Sequence, residues 1–371
     1  MLKPILLYGI IYFGCLISFL PIALAQQEPT PCPSISFADI DQMPIATMRL
    51  RFHFMPRRDG QANFTAKEAS TIAENMLRYA NDNLANLRPA NIAGPKGLPA
   101  HVRDSRLRLS LYSETQTDKG VLVHEAEDWD AASDVYGDRV VNIVFVYCYA
   151  KNEKGDTVSC CYNQAIGSNR VDFCNVWKVL ATDTAIQKNR SRLLVHELGH
   201  ILGLSHTFTC GNECETVDID PKAECGGGCE WVGDDCKTRG NNIMSYRYGE
   251  GDNYNTALTP CQWEKIFEHI IQVKPLSIVM DCRKNPEPLV IDQAYEVWQN
   301  LKFINRDIII LRGANLTIAC AVRFADDCKI YVRRRGRLNI AGGQFTKFCD
   351  GQVWQAIEGK GKVIYEASRT F

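Results

Sequence analysis

The chain has 371 residues, and 42 basic against 43 acidic side chains leave it close to neutral, which excludes a general polyanion-binding role. Nothing in it resembles a nucleotide loop, a dinucleotide fingerprint or a nucleophile elbow, so no nucleic-acid partner is expected. The length exceeds one compact core and calls for two units, while sixteen cysteines suit an oxidising compartment.

Met1-Leu2-Lys3, the apolar run from Ile5 to Leu20 and the small residues of Ala23-Leu24-Ala25 read together as a signal peptide over residues 1–25. No later segment is apolar enough to span a bilayer, so a secreted or extracytoplasmic protein with no stable membrane span is expected. Residues 26–45 form an N-terminal segment, with Cys32 between Pro31 and Pro33. From Ala46 to Phe54, Met48, Leu50, Phe52 and Phe54 alternate with polar residues as in a half-buried strand. Thr65 and Glu68 form a capping box for a helix whose stripe is Ile72, Met76, Tyr79 or Ala80, and Leu84. Arg106 to Ser113 alternates again, and Val140 to Tyr149 is a nearly continuous apolar run suited to an inner strand. Shorter strands are expected near Cys161 to Gly167 and Val171 to Trp177.

The next segment carries the chemistry. His196-Glu197-Leu198-Gly199-His200-Ile201-Leu202-Gly203-Leu204-Ser205-His206 has the pattern H-E-x-x-H-x-x-G-x-x-H. On a helix, His196 and His200 share one face and can hold two corners of a zinc tetrahedron, with Glu197 beside them. Gly203 lets the chain turn sharply so that His206 returns as a third ligand. Three protein ligands leave a fourth position to water, which is the mark of a catalytic zinc. In that chemistry Glu197 is the general base toward the zinc-bound water. A binding protein on an inactive scaffold, the rival class, would have no need of Glu197.

Asn241-Asn242-Ile243-Met244-Ser245-Tyr246 follows His206, with Met244 38 residues beyond it, and then Leu258-Thr259-Pro260-Cys261-Gln262. With the zinc motif and His206-Thr207-Phe208, these stretches resemble the pappalysin family of the metzincin metallopeptidases. The resemblance runs from about Ala46 to Asp281. It implies an α+β catalytic domain over 46–281, with a mixed sheet, a backing helix, a zinc helix and a Cys-rich lower part. It implies a zinc endopeptidase acting on protein or peptide substrates, with Met244 as structural support beneath the metal. Tyr246 is then either a donor to the reaction's oxyanion or a packing tyrosine. Calcium is a second metal that the resemblance admits, although Asp218-Ile219-Asp220-Pro221 departs from the family's Asp-Thr-Pro step. Related enzymes are held latent by a pro-segment thiolate on the zinc. Cys32 is therefore either a latency thiol in a short pro-segment or half of an ordinary disulfide.

Removing Cys15 with the signal leaves fifteen cysteines, so at least one thiol is free, pairs with another molecule or ligates metal. Cys210, Cys214, Cys225, Cys229 and Cys236 lack a C-x2-C knuckle and are read as disulfide cysteines rather than as a second zinc site. Asn285-Pro286-Glu287-Pro288 reads as a linker to an all-β domain over 282–371. There Ile308, Ile310, Leu316 and Ile318 recur 22 residues later as Ile330, Val332, Leu338 and Ile340. That period suits stacked β-rungs, and two copies point to a short sandwich or a rung pair resting on the peptidase.

Overall fold

The computed structural model describes residues 35–57, 61–92, 97–113, 120–125, 139–146, 150–151, 157–158, 164–166, 169–173, 178–207, 214, 240–245, 254–349 and 353–366. Residues 1–25, Cys32, Tyr246 and most of the Cys-rich loop lie outside these.

The N-terminal part is built on β1 (Ala46–Phe54). Parallel partners flank it: β2 (Leu107–Leu111) and β3 (Val121–Val123) on one side, β4 (Val141–Phe145) on the other. A β5–β6 hairpin (Ala150–Lys151, Thr157–Val158) stands apart from this sheet. The order then continues through β8 (Arg170–Phe173) to β7 (Gln164–Ile166), which is antiparallel to β8 and, among the described residues, is the edge of the sheet. A ninth strand, β9 (Ile278–Met280), returns antiparallel beside the start of β1.

Met48, Leu50, Phe52 and Phe54 point into the main core, as their alternation requires. The intervening Arg51 and His53 are buried too, so the second half of β1 is not half-exposed. A central strand of a parallel sheet is covered on both faces. Behind the sheet lies α1 (Ala66–Ala85), opened by the Thr65–Glu68 capping box and buried through Ile72, Met76, Ala80 and Leu84. It packs on α2 (Thr184–Ile201), and Asn75 Nδ2 donates to Gln187 Oε1 between the two helices at 2.9 Å. The third helix, α3 (Pro260–Val273), adds Trp263, Ile266, Phe267 and Ile270 to the same core.

Part of the N-terminal segment belongs to this body. Ile35 and Met43 are in the core, and the Phe37 N–H donates to Glu264 Oε1 at 2.7 Å.

The C-terminal part is a three-faced parallel β-helix. One face stacks β10 (Asn285–Ile291), β13 (Arg306–Ile310), β16 (Ile330–Val332) and β19 (Ile357–Gly359). The second stacks β11 (Glu296–Trp298), β14 (Asn315–Ile318), β17 (Arg337–Ala341) and β20 (Lys362–Glu366). The third stacks β12 (Lys302–Ile304), β15 (Val322–Phe324) and β18 (Phe345–Lys347). The 22-residue repeat is two adjacent coils in register, with Ile308 opposite Ile330 and Leu316 opposite Leu338. Neighbouring coils precede and follow them, so the two-copy expectation falls short. The Asn285–Pro288 stretch, expected as a linker, is the start of β10, where a register shift between Asn285 and Leu289 accommodates the prolines on an edge strand.

The two parts are joined by more than chain continuity. Lys302 pairs with Asp39 of the N-terminal turn, and Phe303 belongs to the main core built around β1. Among the described residues no helix is long and apolar enough to cross a membrane.

Candidate metal centre

The last turns of α2 carry His196, Glu197 and His200. The helix ends in two hydrogen bonds: the Gly203 N–H donates to the His200 carbonyl at 3.0 Å and the Leu204 N–H to the Gly199 carbonyl at 2.9 Å. This is a Schellman ending, and its left-handed position is Gly203, with φ +85°. A Cβ at Gly203 would also stand 3.2 Å from His269 Nδ1 on α3. The turn brings His206 back against the two helical histidines.

The three rings converge through one type of atom. His206 Nε2 lies 2.9 Å from His200 Nε2 and 3.2 Å from His196 Nε2. Tetrahedral ligands at zinc–nitrogen distances of about 2.0–2.1 Å stand roughly 3.3 Å apart, so the donor set fits a zinc ion. Two of the opposite ring nitrogens are committed elsewhere. His196 Nδ1 donates to the Ile243 carbonyl at 2.7 Å, and His200 Nδ1 donates to the Leu204 carbonyl at 2.8 Å. A carbonyl only accepts, so both Nδ1 atoms carry the proton and both Nε2 lone pairs face inward.

Electrostatics favours the same state. Burial lowers the His196 and His206 imidazoles to about 4, with neighbouring histidines adding to the shift, and burial lowers His200 as well. All three are neutral near pH 7, as metal ligands must be. Among the described residues they are the one cluster of histidine, cysteine or carboxylate groups able to hold a metal. Glu197 is buried beside His196.

Asn241 to Ser245 pass beneath the site. Met244 is fully buried. A Cβ on Gly199 would meet the Met244 sulfur at 2.5 Å, so the glycine inside the zinc motif makes room for the methionine. Ile243 is held by donation of its N–H to the Ala257 carbonyl at 2.8 Å, and its own carbonyl also accepts from Asn255 Nδ2 at 3.2 Å. The sequence reading missed the roles of Gly199, Asn255 and the Ile243 and Leu204 carbonyls. Backbone acceptors leave no residue-type signal, but the small residue at 199 was visible.

Residues 142–269 match the family model described as pregnancy-associated plasma protein-A, peptidase family M43. Over that stretch, which is less than half of the chain, the protein is similar to the pappalysin peptidases. The stretch takes in most of β4, the edge strand β7, the three histidines, Met244 and most of α3. Among solved structures, the chain is similar to mature mirolysin of Tannerella forsythia in complex with a cleaved peptide, at 14% identity over 62% of this chain and 93% of that one, with a TM-score of 0.37. It is also similar to mirolysin in complex with compound 9, at 13% identity over 62% and 94%, with a TM-score of 0.31. No curated protein matches.

Proposed function

We propose that the chain is an exported zinc endopeptidase, with His196, His200 and His206 as ligands and Glu197 as the general base. The observation that carries this reading is the convergence of three Nε2 atoms, with the Nδ1 atoms of His196 and His200 held on backbone carbonyls. Bound zinc supplies Lewis acidity, polarising the scissile carbonyl and making a water acidic enough to attack near neutral pH. Glu197 takes the proton of that water and passes it to the leaving amine. The Tyr246 hydroxyl, two residues beyond Met244, donates to the oxyanion that develops at the carbonyl.

Substrate lies extended along β7. Its outer edge has no strand partner among the described residues, and peptidases present one carbonyl by pairing the substrate backbone with such an edge. Residues 46–281 form the catalytic domain, with 35–45 packed into it, and 282–371 form the β-helical domain. The disulfides and the apolar start of the chain support export.

The test is hydrolysis of a denatured protein substrate by the purified protein, alone, with a chelator, and with zinc restored. Cleavage that stops with chelator and returns with zinc is expected. Chelator-insensitive cleavage, or none at all from zinc-loaded protein, would overturn the reading.

A further inference from the structure

A cleft of about 480 Å³ lies between the catalytic part and the β-helix, away from the three histidines. Its volume is in the range of small-molecule sites, which favour boundaries between domains. Among the described residues the lining combines cations with apolar surface and includes no carboxylate: Arg49 on β1, Lys274 after α3 and Arg323 on β15 share it with Ile271, Phe303 and Phe348. Neither Arg49 nor Arg323 has a carboxylate partner among the described residues. Instead each guanidinium stands over a ring, Arg49 4.7 Å from the Tyr112 centroid and Arg323 5.5 Å from that of Phe303. Burial lowers the Arg323 guanidinium and no neighbouring acid restores it. Half-buried, unneutralised guanidinium groups above an apolar floor are poorly compensated, and a ligand anion would compensate them. The Cys282–Cys349 disulfide also lines the cleft, at the junction where the β-helical part begins.

We propose that this cleft binds a molecule with a carboxylate on an apolar body, its carboxylate met by Arg49 and Arg323 and its body lying on Phe303 and Phe348. A free fatty carboxylate and the C-terminus of an apolar peptide share that chemistry.

The experiment is calorimetric titration of the full chain with sodium laurate and with N-acetyl-leucyl-phenylalanine, each compared with its uncharged analogue, dodecanol or the dipeptide amide. At least one acid is expected to bind at least about tenfold more tightly than its analogue, and which acid does so tells the two sources apart. Arg49→Met and Arg323→Met should each weaken that acid by about tenfold, with hydrolysis of a protein substrate unchanged. Arg323→Lys should fall between. The proposal is overturned if neither acid binds, if acid and analogue bind alike, or if the acid's affinity survives both Met substitutions. Should either Met variant fail to fold, the comparison of acid with analogue on the wild-type protein still decides.

Discussion

Asn242 and Gln262 exchange two side-chain hydrogen bonds, Asn242 Nδ2 to Gln262 Oε1 at 2.7 Å and Gln262 Nε2 to Asn242 Oδ1 at 3.0 Å. Gln262 is also the third residue of α3, where it closes a capping box with Thr259. The same Asn242 Oδ1 accepts from the Met244 N–H at 2.9 Å. One amide pair therefore fixes the start of α3 to the turn that holds His196.

Gln262→Ala should remove the pair and half of the cap together, at a cost of about 2–4 kcal/mol. Because the Ile243 carbonyl orients His196, zinc affinity should fall roughly 10- to 100-fold. Urea unfolding and chelator competition would measure the two effects. A variant destabilised but unchanged in zinc affinity would show that the turn does not transmit to the ligand.

Gly199→Ala forces a methyl group onto the Met244 sulfur and should cost about 1–3 kcal/mol. Met244→Ala alone should cost about 2–5 kcal/mol through the cavity it leaves. In the double variant the new methyl partly fills that cavity, so the two costs should sum to less than additivity predicts. A double-mutant cycle with no coupling would refute the contact.

Glu197→Gln should keep the metal and lose activity by about 10²- to 10⁴-fold, the usual worth of a general base. His206→Ala should lose both. Metal analysis beside a peptidase assay separates the two classes, and a full zinc complement in His206→Ala would place the third ligand elsewhere.

His53 is buried on β1, with Nε2 3.0 Å from Asn142 Oδ1 and Nδ1 3.0 Å from His124 Nε2. Burial lowers it from 6.5 to about 3, opposed by the Asn142 hydrogen bond and assisted by His124, Arg51 and Arg170. The unfolded chain takes up this proton below pH about 6.5 and the native state does not, so stability is full above that pH and is lost as the pH falls toward the folded value. Between pH 7 and 5 this one group should withdraw about 2 kcal/mol. His53→Gln, which does not titrate, should flatten that part of the profile in urea melts at the two pH values. An unchanged slope would assign the acid sensitivity to other groups.

Cys328 is the free cysteine among the described residues, and burial in the β-helix core pushes its thiol up to about 11. It should resist an aromatic disulfide reagent at pH 8 and react only on unfolding. Rapid native labelling of Cys328, located by peptide mapping, would contradict the packing. This residue supplies an unpaired thiol, so the odd cysteine count does not by itself require Cys32 to be free.

The metal centre was legible because its chemistry sits in one short motif: His196, His200, Gly203 and His206 are where their spacing puts them. Long elements with strong patterns, β1 and α1, were also readable. The second face of β1 was not, because Arg51 and His53 are polar residues buried by the sheet's tertiary cover. The β-helix was legible only where successive coils share an offset. Ile308 and Ile330 are 22 residues apart, whereas Ile291 pairs with Ile310 and Ile330 with Ile357, at offsets of 19 and 27. Coil length varies at the corners, so a search for one period finds two coils and misses the rest. The amide pairs that clamp the Met244 turn join residues distant in sequence, and no local pattern announces them.

The bond between Cys282 and Cys349 closes a covalent ring around most of the β-helix, its ends 67 positions apart. A single cut by a foreign protease anywhere from residue 283 to 348 therefore cannot release a fragment. The nicked chain would keep its mass on a gel run without thiol and split into two bands once reductant is added. In a protease-rich medium such a molecule can be scarred on its β-helical side and still carry that side beside its catalytic centre.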